Sequence, residues 1–286
     1  MATKPIRRKS PIQKKPSRKT ASKRKFVPLI IGFIVVLFFA ITIYHYRDAL
    51  AYYFSFRSRH ELKEAESSKV EEARIFQVLK RHHPKVAGFD VSEYQGTIQW
   101  DQVKTVEDTF ALSFVFIRAT AGKNRVDKKF ATNWKQAKAN GLIRGAYHYY
   151  RPNENSIKQA ELFIKTVHLL KGDFPPVLDI ENLPKTQSVD SLKVGLKRWL
   201  KKVEDHYKVK PIIYSGERYY KDFLKDDFKG YPFWIANYNF FVENIKDDWL
   251  FWQFTEKGTI PGIEGPVDLN IYNGTPKMLN YQVNSK

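Results

Sequence analysis

The 286-residue sequence has no cysteine. Disulfide bonds and thiolate metal sites are therefore excluded, whatever the compartment. Residues 1–25 contain no Asp or Glu but eleven Lys or Arg. Residues 26–46 contain no Asp, Glu, Lys or Arg at all. Clean heptads are missing from 47–84, which argues against a dimerising coiled coil there. The formal net charge of +19 invites a nucleic-acid reading. Its distribution argues otherwise, because more than half of the excess sits in the tail 1–25. A Ser- and Pro-containing basic tail of this kind is expected to be disordered. No nucleic acid is expected as a partner.

The uncharged run has the core Leu29-Ile30-Ile31-Gly32-Phe33-Ile34-Val35-Val36-Leu37-Phe38-Phe39-Ala40-Ile41. As a helix at ~1.5 Å per residue it reaches roughly 30 Å, the hydrocarbon thickness of a bilayer. Tyr44, Tyr46, Tyr52 and Tyr53 follow, as an interfacial aromatic belt does. The expectation is one transmembrane helix at 26–46, with the lipid bilayer as its partner. Ala49-Leu50-Ala51 resembles a signal-peptide cleavage site, but the apolar run exceeds the usual ~7–15 residues. The basic tail predicts a cytoplasmic N-terminus, with everything after the span outside. Residues 47–84 are polar and charged, and read as a stalk or linker.

From Val86 onward, short apolar runs alternate with helical patterns. The runs are Val86–Val91, Phe114–Ala119, Ile143–Tyr149, Val177–Glu181, Pro211–Ser215, Phe233–Asn237, Leu250–Thr255 and Val267–Tyr272. Amphipathic stretches separate the early ones, at Asp127–Asn140, Ser156–Leu170 and Val189–Tyr207. Such alternation predicts an α/β fold with a parallel sheet. Eight strands predict closure into an irregular (β/α) barrel over 85–283, with helices missing in the last third. The short domain agrees, since a complete eightfold barrel takes ~250 residues. On this reading residues 85–286 fold and act alone.

Barrel enzymes place their chemistry at the C-terminal ends of the strands. Those ends carry Asp90 and Ser92, then Tyr147, His148 and Tyr149, then Asp179 and Glu181, then Tyr214. The later strands offer Trp234 and Asn237, Trp252 and Gln253, and Asp268 and Asn270. Asp179 and Glu181 are two apart, so on a strand they share a face. Two acids so placed repel, which raises one pKa and leaves a protonated acid beside an ionised one. Glycosidic cleavage needs that combination. The alternatives are a barrel-core salt bridge, with Arg118 or Arg144 as the cation, and a divalent metal site. The cluster shows no metal-ligand spacing. No metal and no cofactor is expected. The candidate catalytic residues are Glu181, Asp179, Asp90 and Asp268. The aromatic and amide residues Tyr147, Tyr149, Tyr214, Trp234, Asn237, Trp252 and Gln253 suit a sugar with apolar faces and hydroxyl edges.

Several segments, in order, resemble glycoside hydrolase family 25, the muramidases. They are Gly88-Phe89-Asp90-Val91-Ser92-Glu93-Tyr94-Gln95-Gly96, Phe116-Ile117-Arg118-Ala119-Thr120, Gly145-Ala146-Tyr147-His148-Tyr149 and Leu178-Asp179-Ile180-Glu181. Tyr214-Ser215, Trp234-Ile235-Ala236, Trp252-Gln253 and Val267-Asp268-Leu269-Asn270 complete the set. The resemblance implies hydrolysis of the β-1,4 bond between N-acetylmuramic acid and N-acetylglucosamine in peptidoglycan glycan strands. It matches Glu181 to the general acid, Asp179 to its partner, and Asp90 and Asp268 to two further cleft acids. Attack by the partner carboxylate and attack by the substrate's N-acetyl group both retain configuration, and both stay open. Ala121 and Gln99 depart from the family pattern, where acids are common. A wall-binding barrel without catalysis is the reading from a different class. The location implied is the bacterial cytoplasmic membrane, with the barrel outside it.

Overall fold

The computed structural model describes residues 27–47, 50, 65–239, 241–242 and 244–283. The tail 1–25, most of the Ala49-Leu50-Ala51 motif and much of the expected stalk lie outside the described residues. The chain divides into two compact units, 1–47 and 48–286.

The first unit holds helix α1, Val27–His45. It is apolar all round, the pattern of a helix with no polar face to turn to water. Its described side chains, among them Ile30, Phe33, Val36, Phe39 and Ile43, are exposed. Among the described residues no helix is long and apolar enough to cross a membrane. The transmembrane helix expected at 26–46 is thus not established by the described residues.

In the second unit, helix α2 spans Ala65–His82. Ile75, Val78 and Leu79 form one face of it and are buried in the main core. Residues three and four apart stack on the same side of a helix, which is why these three act together. The helix lies along the barrel wall, where the Arg74 Nη1 group donates to the Phe254 carbonyl at 2.8 Å. Thr255 Oγ1 donates to Glu71 Oε1 at 2.7 Å. Within the segment read as a stalk, residues 65–82 thus pack on the barrel wall. Three apolar residues among charged neighbours are too short a stripe to stand out in the sequence.

The strands are β1 Ala87–Val91, β2 Thr105–Val106, β3 Phe110–Ala121, β4 Arg125–Val126, β5 Ile143–Tyr149, β6 Val177–Asp179, β7 Ile212–Gly216, β8 Phe233–Ala236, β9 Phe251–Gly258 and β10 Val267–Tyr272. Strands β2 and β4 are short additions that pair antiparallel with β3. The other eight close a ring, because β1 pairs with both β3 and β10. All neighbours from β1 through β9 around the ring are parallel. Strand β10 is antiparallel to both β9 and β1, which corrects the all-parallel expectation. The physical reason is the short β9–β10 connection, which suits a reversed strand; a parallel partner needs a crossover of a dozen or more residues.

Helices α3 Phe130–Ala139, α4 Ser156–Thr166 and α5 Val189–Tyr207 cover the early crossovers. Among the described residues between β7 and β10 the helical segments are the short turns Glu217–Tyr219 and Tyr220–Leu224. Helix α6, Pro276–Gln282, ends the described chain. Late helices are missing as expected, and α2 occupies part of the wall they would have covered. The period of two divides the core. Phe114, Phe116, Trp234 and Phe251 point inward and fill the barrel. Val115, Ile117, Ile235, Trp252 and Phe254 point outward beneath the helices. Gly88 and Gly145 admit the inner rings, since an added Cβ would come within 2.5 Å of Phe114 and 2.3 Å of Phe116.

A chain of residues 65–286 is expected to be more stable than one of residues 85–286. Burying one large aliphatic side chain is worth ~1.5–3 kcal/mol, and α2 buries three. Equal thermal unfolding midpoints by circular dichroism would show that α2 adds nothing.

Candidate active site

Two prolines, Pro175 and Pro176, lead into β6, and the strand's alternation then sorts its side chains. Leu178 and Ile180 are fully buried among the outer apolar groups. Asp179 points inward and is 4% exposed. Glu181, two residues on, stands exposed at the mouth. Tyr149 on β5 and Tyr214 on β7 flank Asp179 in register. Across the ring, Asp90 near the end of β1 lies directly opposite Asp268 near the start of β10. The reversal of β10 is what brings its N-terminal acid to the same end as the C-termini of the other strands.

These groups line one cleft of ≈ 210 Å³, which contains Asp90, Asp179, Glu181 and Asp268 together with Tyr147, Tyr149, Tyr214, Trp234 and Gln253. A second cavity of ≈ 850 Å³ shares Glu181 and Tyr214 with it and adds Leu183, Tyr219, Phe223 and Asn237. Glu181 therefore borders both spaces, and Asp179 borders only the first.

The acids form two coupled pairs. Burial, then the Glu181 charge, pushes the Asp179 carboxyl well above its ordinary range. Glu181 is raised as well, by partial desolvation, although a hydrogen bond with Asp179 pulls it back. Its accessible end reaches solvent while the rest of the carboxyl is crowded by protein, so its shift is the smaller. Such a pair titrates as a unit, with both carboxyls raised above their ordinary range. Asp179 Oδ1 is buried without a hydrogen-bond partner of good geometry. Burial and the Asp268 charge likewise raise Asp90 well above normal. Burial pushes Asp268 up to about 6.

An amide network fixes Asp90. Its Oδ2 accepts from Gln253 Nε2 at 2.7 Å and from Asn270 Nδ2 at 2.8 Å. The Gln253 carbonyl oxygen accepts from the hydroxyls of Tyr214, at 2.6 Å, and of Tyr238. Trp234 Nε1 donates to Asn270 Oδ1 at 2.8 Å. Neither Arg118 nor Arg144 forms the salt bridge considered for the acids. Arg118 Nε pairs with Asp127 at 2.9 Å, and Arg144 Nε pairs with Asp173 at 2.7 Å.

Some expected contacts are corrected. Trp252 points away from the cleft, because it alternates with the inward Phe251 and Gln253. It is fully buried against the outer core, meets the His82 ring edge-on, and donates to the Asn237 carbonyl at 3.0 Å. Asn237 borders the larger cavity and donates to Glu217. Trp234 is 2% exposed and stacks on Phe116 at 4.5 Å, so it forms the floor and offers little open ring to a sugar. Gln253 is committed to Asp90 and two tyrosines. His148 also alternates outward, where it meets Thr120 and Gln159 and stacks on Trp199. Burial depresses its pKa to about 4. Sequence reasoning left out Tyr94, Arg118 and Tyr238. Tyr94 is 72% exposed at the rim, with the Arg118 guanidinium 4.5 Å from its ring centroid. Its place beside Asp90 in the first motif was the available signal.

An α/β barrel with paired acids of raised pKa in its mouth defines a glycosidase-like hydrolase. The chain matches Glycosyl hydrolases family 25 over residues 89–263 and belongs to that family. The uncharacterised protein YegX of Escherichia coli K12 is 43% identical over 198 residues, covering 68% of this chain and 72% of that protein. Lysozyme M1 of Streptomyces globisporus is 32% identical, covering 68% and 70%. Among solved structures, the bacterial lysozyme from Streptomyces coelicolor aligns with a TM-score of 0.63 at 29% identity, over 71% of this chain and 98% of that one. A family 25 glycosyl hydrolase from Bacillus anthracis aligns at 0.62 with 30% identity, over 70% and 94%.

The raised Asp268 has a stability consequence. A carboxyl raised in the fold favours the protonated state, so its stabilisation is complete below the unfolded pKa of 3.8. That stabilisation is lost as pH rises through about 6. Asp268→Asn is therefore expected to gain stability over wild type between pH 4 and pH 7, on the order of 1–3 kcal/mol at the upper end. Denaturant titrations at both pH values check it, and a gain of the same size at both would contradict the assignment.

Proposed function

We propose that this chain is a lysozyme that hydrolyses the β-1,4 bond between N-acetylmuramic acid and N-acetylglucosamine in peptidoglycan. The observation that carries the reading is the position of Glu181 between two cavities, with Asp179 in the smaller one alone. A general acid must reach the oxygen that joins two sugars. The two cavities then hold the rings on either side of the bond. The ring whose anomeric carbon becomes cationic belongs beside Asp179, in the smaller cleft. The leaving sugar belongs in the larger cavity, whose Leu183, Tyr219 and Phe223 offer apolar surface to pyranose faces. The names of the related lysozymes support the same substrate.

In the first step Glu181 gives its proton to the glycosidic oxygen. The bond from that oxygen to the anomeric carbon breaks, and its electron pair stays with the leaving alcohol. Either the Asp179 carboxylate or the substrate's own acetamido oxygen closes on the anomeric carbon from the opposite face. Asp179 acts in this step as the carboxylate, and Glu181 is the group that carries the proton. Water then attacks the anomeric carbon, the bond to Asp179 or to the acetamido oxygen breaks with its electron pair returning to that oxygen, and the Glu181 carboxylate takes a proton from the water. Configuration is retained by both routes. Asp90 and Asp268 line the same cleft and supply negative charge facing the ring. Arg118 and Tyr94 form the opposite rim.

Glu181→Gln is expected to lower kcat by ~10²–10⁴-fold, the usual worth of a general acid. Asp179→Asn, which removes the charge opposite the developing cation, is expected to fall at least as far. Both variants should still bind a muropeptide fragment. Mass spectrometry of digested peptidoglycan should show N-acetylmuramic acid at the new reducing ends. Retention of more than about a tenth of wild-type kcat by Glu181→Gln, well short of the general-acid range, rules Glu181 out as the acid.

The second part of the proposal concerns location. The apolar helix α1 follows a tail with eleven basic and no acidic residues. That arrangement supports a single-pass anchor in a bacterial cytoplasmic membrane, with the N-terminus inside and the barrel outside. The full chain should sediment with membranes and resist extraction by high salt. Added protease should digest the barrel on intact spheroplasts; a protected barrel reverses the orientation, and a soluble full-length chain removes the anchor.

A further inference from the structure

Helix α2 lies outside the residues that match the family, yet it touches the loop nearest the acids. Arg74 on α2 is 5% exposed. Its Nη1 donates to the Phe254 carbonyl at 2.8 Å, and its Nη2 donates to the Asn239 carbonyl at 3.2 Å. One guanidinium thus spans the wall strand β9 and the loop that follows β8. Charge-assisted hydrogen bonds of this kind are roughly twice as strong as neutral ones, and the planar fork fixes two acceptors at once.

The loop carries a group that belongs to the site. Tyr238 directly precedes Asn239, and its hydroxyl donates to the Gln253 carbonyl oxygen. Tyr214 donates to the same oxygen at 2.6 Å. A primary amide has one acceptor end and one donor end. Two hydroxyls on the oxygen therefore oblige the Gln253 Nε2 end to face Asp90, whose Oδ2 it meets at 2.7 Å. The loop's other ties are on the barrel side. The Asn237 carbonyl accepts from Trp252 Nε1 at 3.0 Å, and the Asn237 side chain accepts from the Asn239 backbone at 2.9 Å. The Asn239 carbonyl also accepts from the Val242 backbone at 2.9 Å, and among the described residues Arg74 ties it to α2, outside the barrel.

We propose that Arg74 is a positioning residue for the hydrolytic site, and that α2 is a clamp which holds Tyr238 against Gln253 and so fixes the amide that Asp90 accepts from. The route has defined links: Arg74 to the Asn239 carbonyl, Asn239 to Tyr238 through the chain, Tyr238 to Gln253, and Gln253 to Asp90. Without the first link the loop keeps its barrel-side bonds but can lift Tyr238 from the mouth. The Gln253 amide then has one hydroxyl fewer to orient it, and Asp90 loses a fixed donor. The inference rests on the proposed hydrolase activity.

The test uses the full chain and a soluble muropeptide oligomer, at a temperature well below unfolding. Arg74→Ala is expected to lower kcat roughly tenfold with KM little changed, because a small misplacement of a positioned group costs on this scale. Arg74→Lys, which can still reach one carbonyl, should recover part of the loss. Tyr238→Phe should give a similar loss of kcat. The double variant should be no worse than Tyr238→Phe alone, since both changes act on one route. A merely structural Arg74 predicts a lower unfolding midpoint with wild-type kcat below it, and that result overturns the proposal. Losses that multiply in the double variant overturn it too. If Arg74→Ala fails to fold, Arg74→Lys and Tyr238→Phe carry the test; wild-type kcat in Tyr238→Phe breaks the route regardless of Arg74. A wild-type chain inert on the oligomer would instead remove the hydrolase reading on which this one depends.

Discussion

Asp179 and Glu181 follow one another up a single face of β6, and Asp90 and Asp268 face one another across β1 and β10. Four carboxyls in one small cleft repel, and opposed like charges on paired strands destabilise a sheet. The surroundings reduce that repulsion without cancelling it. Two amides donate to Asp90, and burial with like-charge repulsion raises Asp90 and Asp179, which favours their neutral forms. The nearest cation is held back: Arg118 lines the cleft, yet its guanidinium is bonded to Asp127 and lies beside Glu93. A free arginine on Asp179 would restore an ordinary low pKa and remove the proton the chemistry needs. The ion-pair network on the β3 side therefore has a function in what it withholds from the acids.

Strand alternation made much of this legible in the sequence, and neglect of it explains the misplaced residues. Asp179 and Glu181, two apart, share a face as the period of two requires. Tyr147 and Tyr149 obey the same rule on β5, and both line the cleft. His148 between them, and Trp252 between Phe251 and Gln253, were grouped by nearness to a strand end. Their odd positions send them to the outer core instead. Asp268 lines the cleft for a reason the sequence does not display. It lies at the start of its strand, and it reaches the mouth because β10 runs backwards. The short β9–β10 connection was visible, and a reversed strand is its natural consequence. The Tyr238–Gln253 contact depends on loop conformation, for which local sequence carries little signal.

The wall of the barrel shows how the missing helices are compensated. Among the described residues the β8–β9 crossover carries no helix and the β9–β10 connection is short, which leaves Trp252 and Phe254 on an outer face that needs cover. Helix α2 provides part of it with Ile75, Val78 and Leu79, from a segment that precedes the first strand. Its charged residues then meet carbonyl and hydroxyl groups of the strand it covers, at Phe254 and Thr255. A helix recruited to protect the wall is thereby also in contact with the loop at the mouth. Packing and function are joined in one element.

The interior explains why each carboxyl pair has an inner and an outer member. Phe114, Phe116, Trp234 and Phe251 fill the barrel beneath the cleft, and the rings of Phe116 and Trp234 stack at 4.5 Å. Water therefore reaches the acids from the mouth alone. Asp179 and Asp90 sit on the dry floor at 4% and 6% exposure, while Glu181 opens to solvent. A carboxyl on a dry floor is stabilised as an anion only when a positive charge develops opposite it, and that occurs at the anomeric carbon in the transition state. A carboxyl at the mouth can exchange its proton with water between turnovers. A general acid must be reprotonated in every cycle, whereas the group facing the cation gains from isolation. The same aromatic floor thus separates the roles of Asp179 and Glu181, although the two differ in sequence by only one intervening residue.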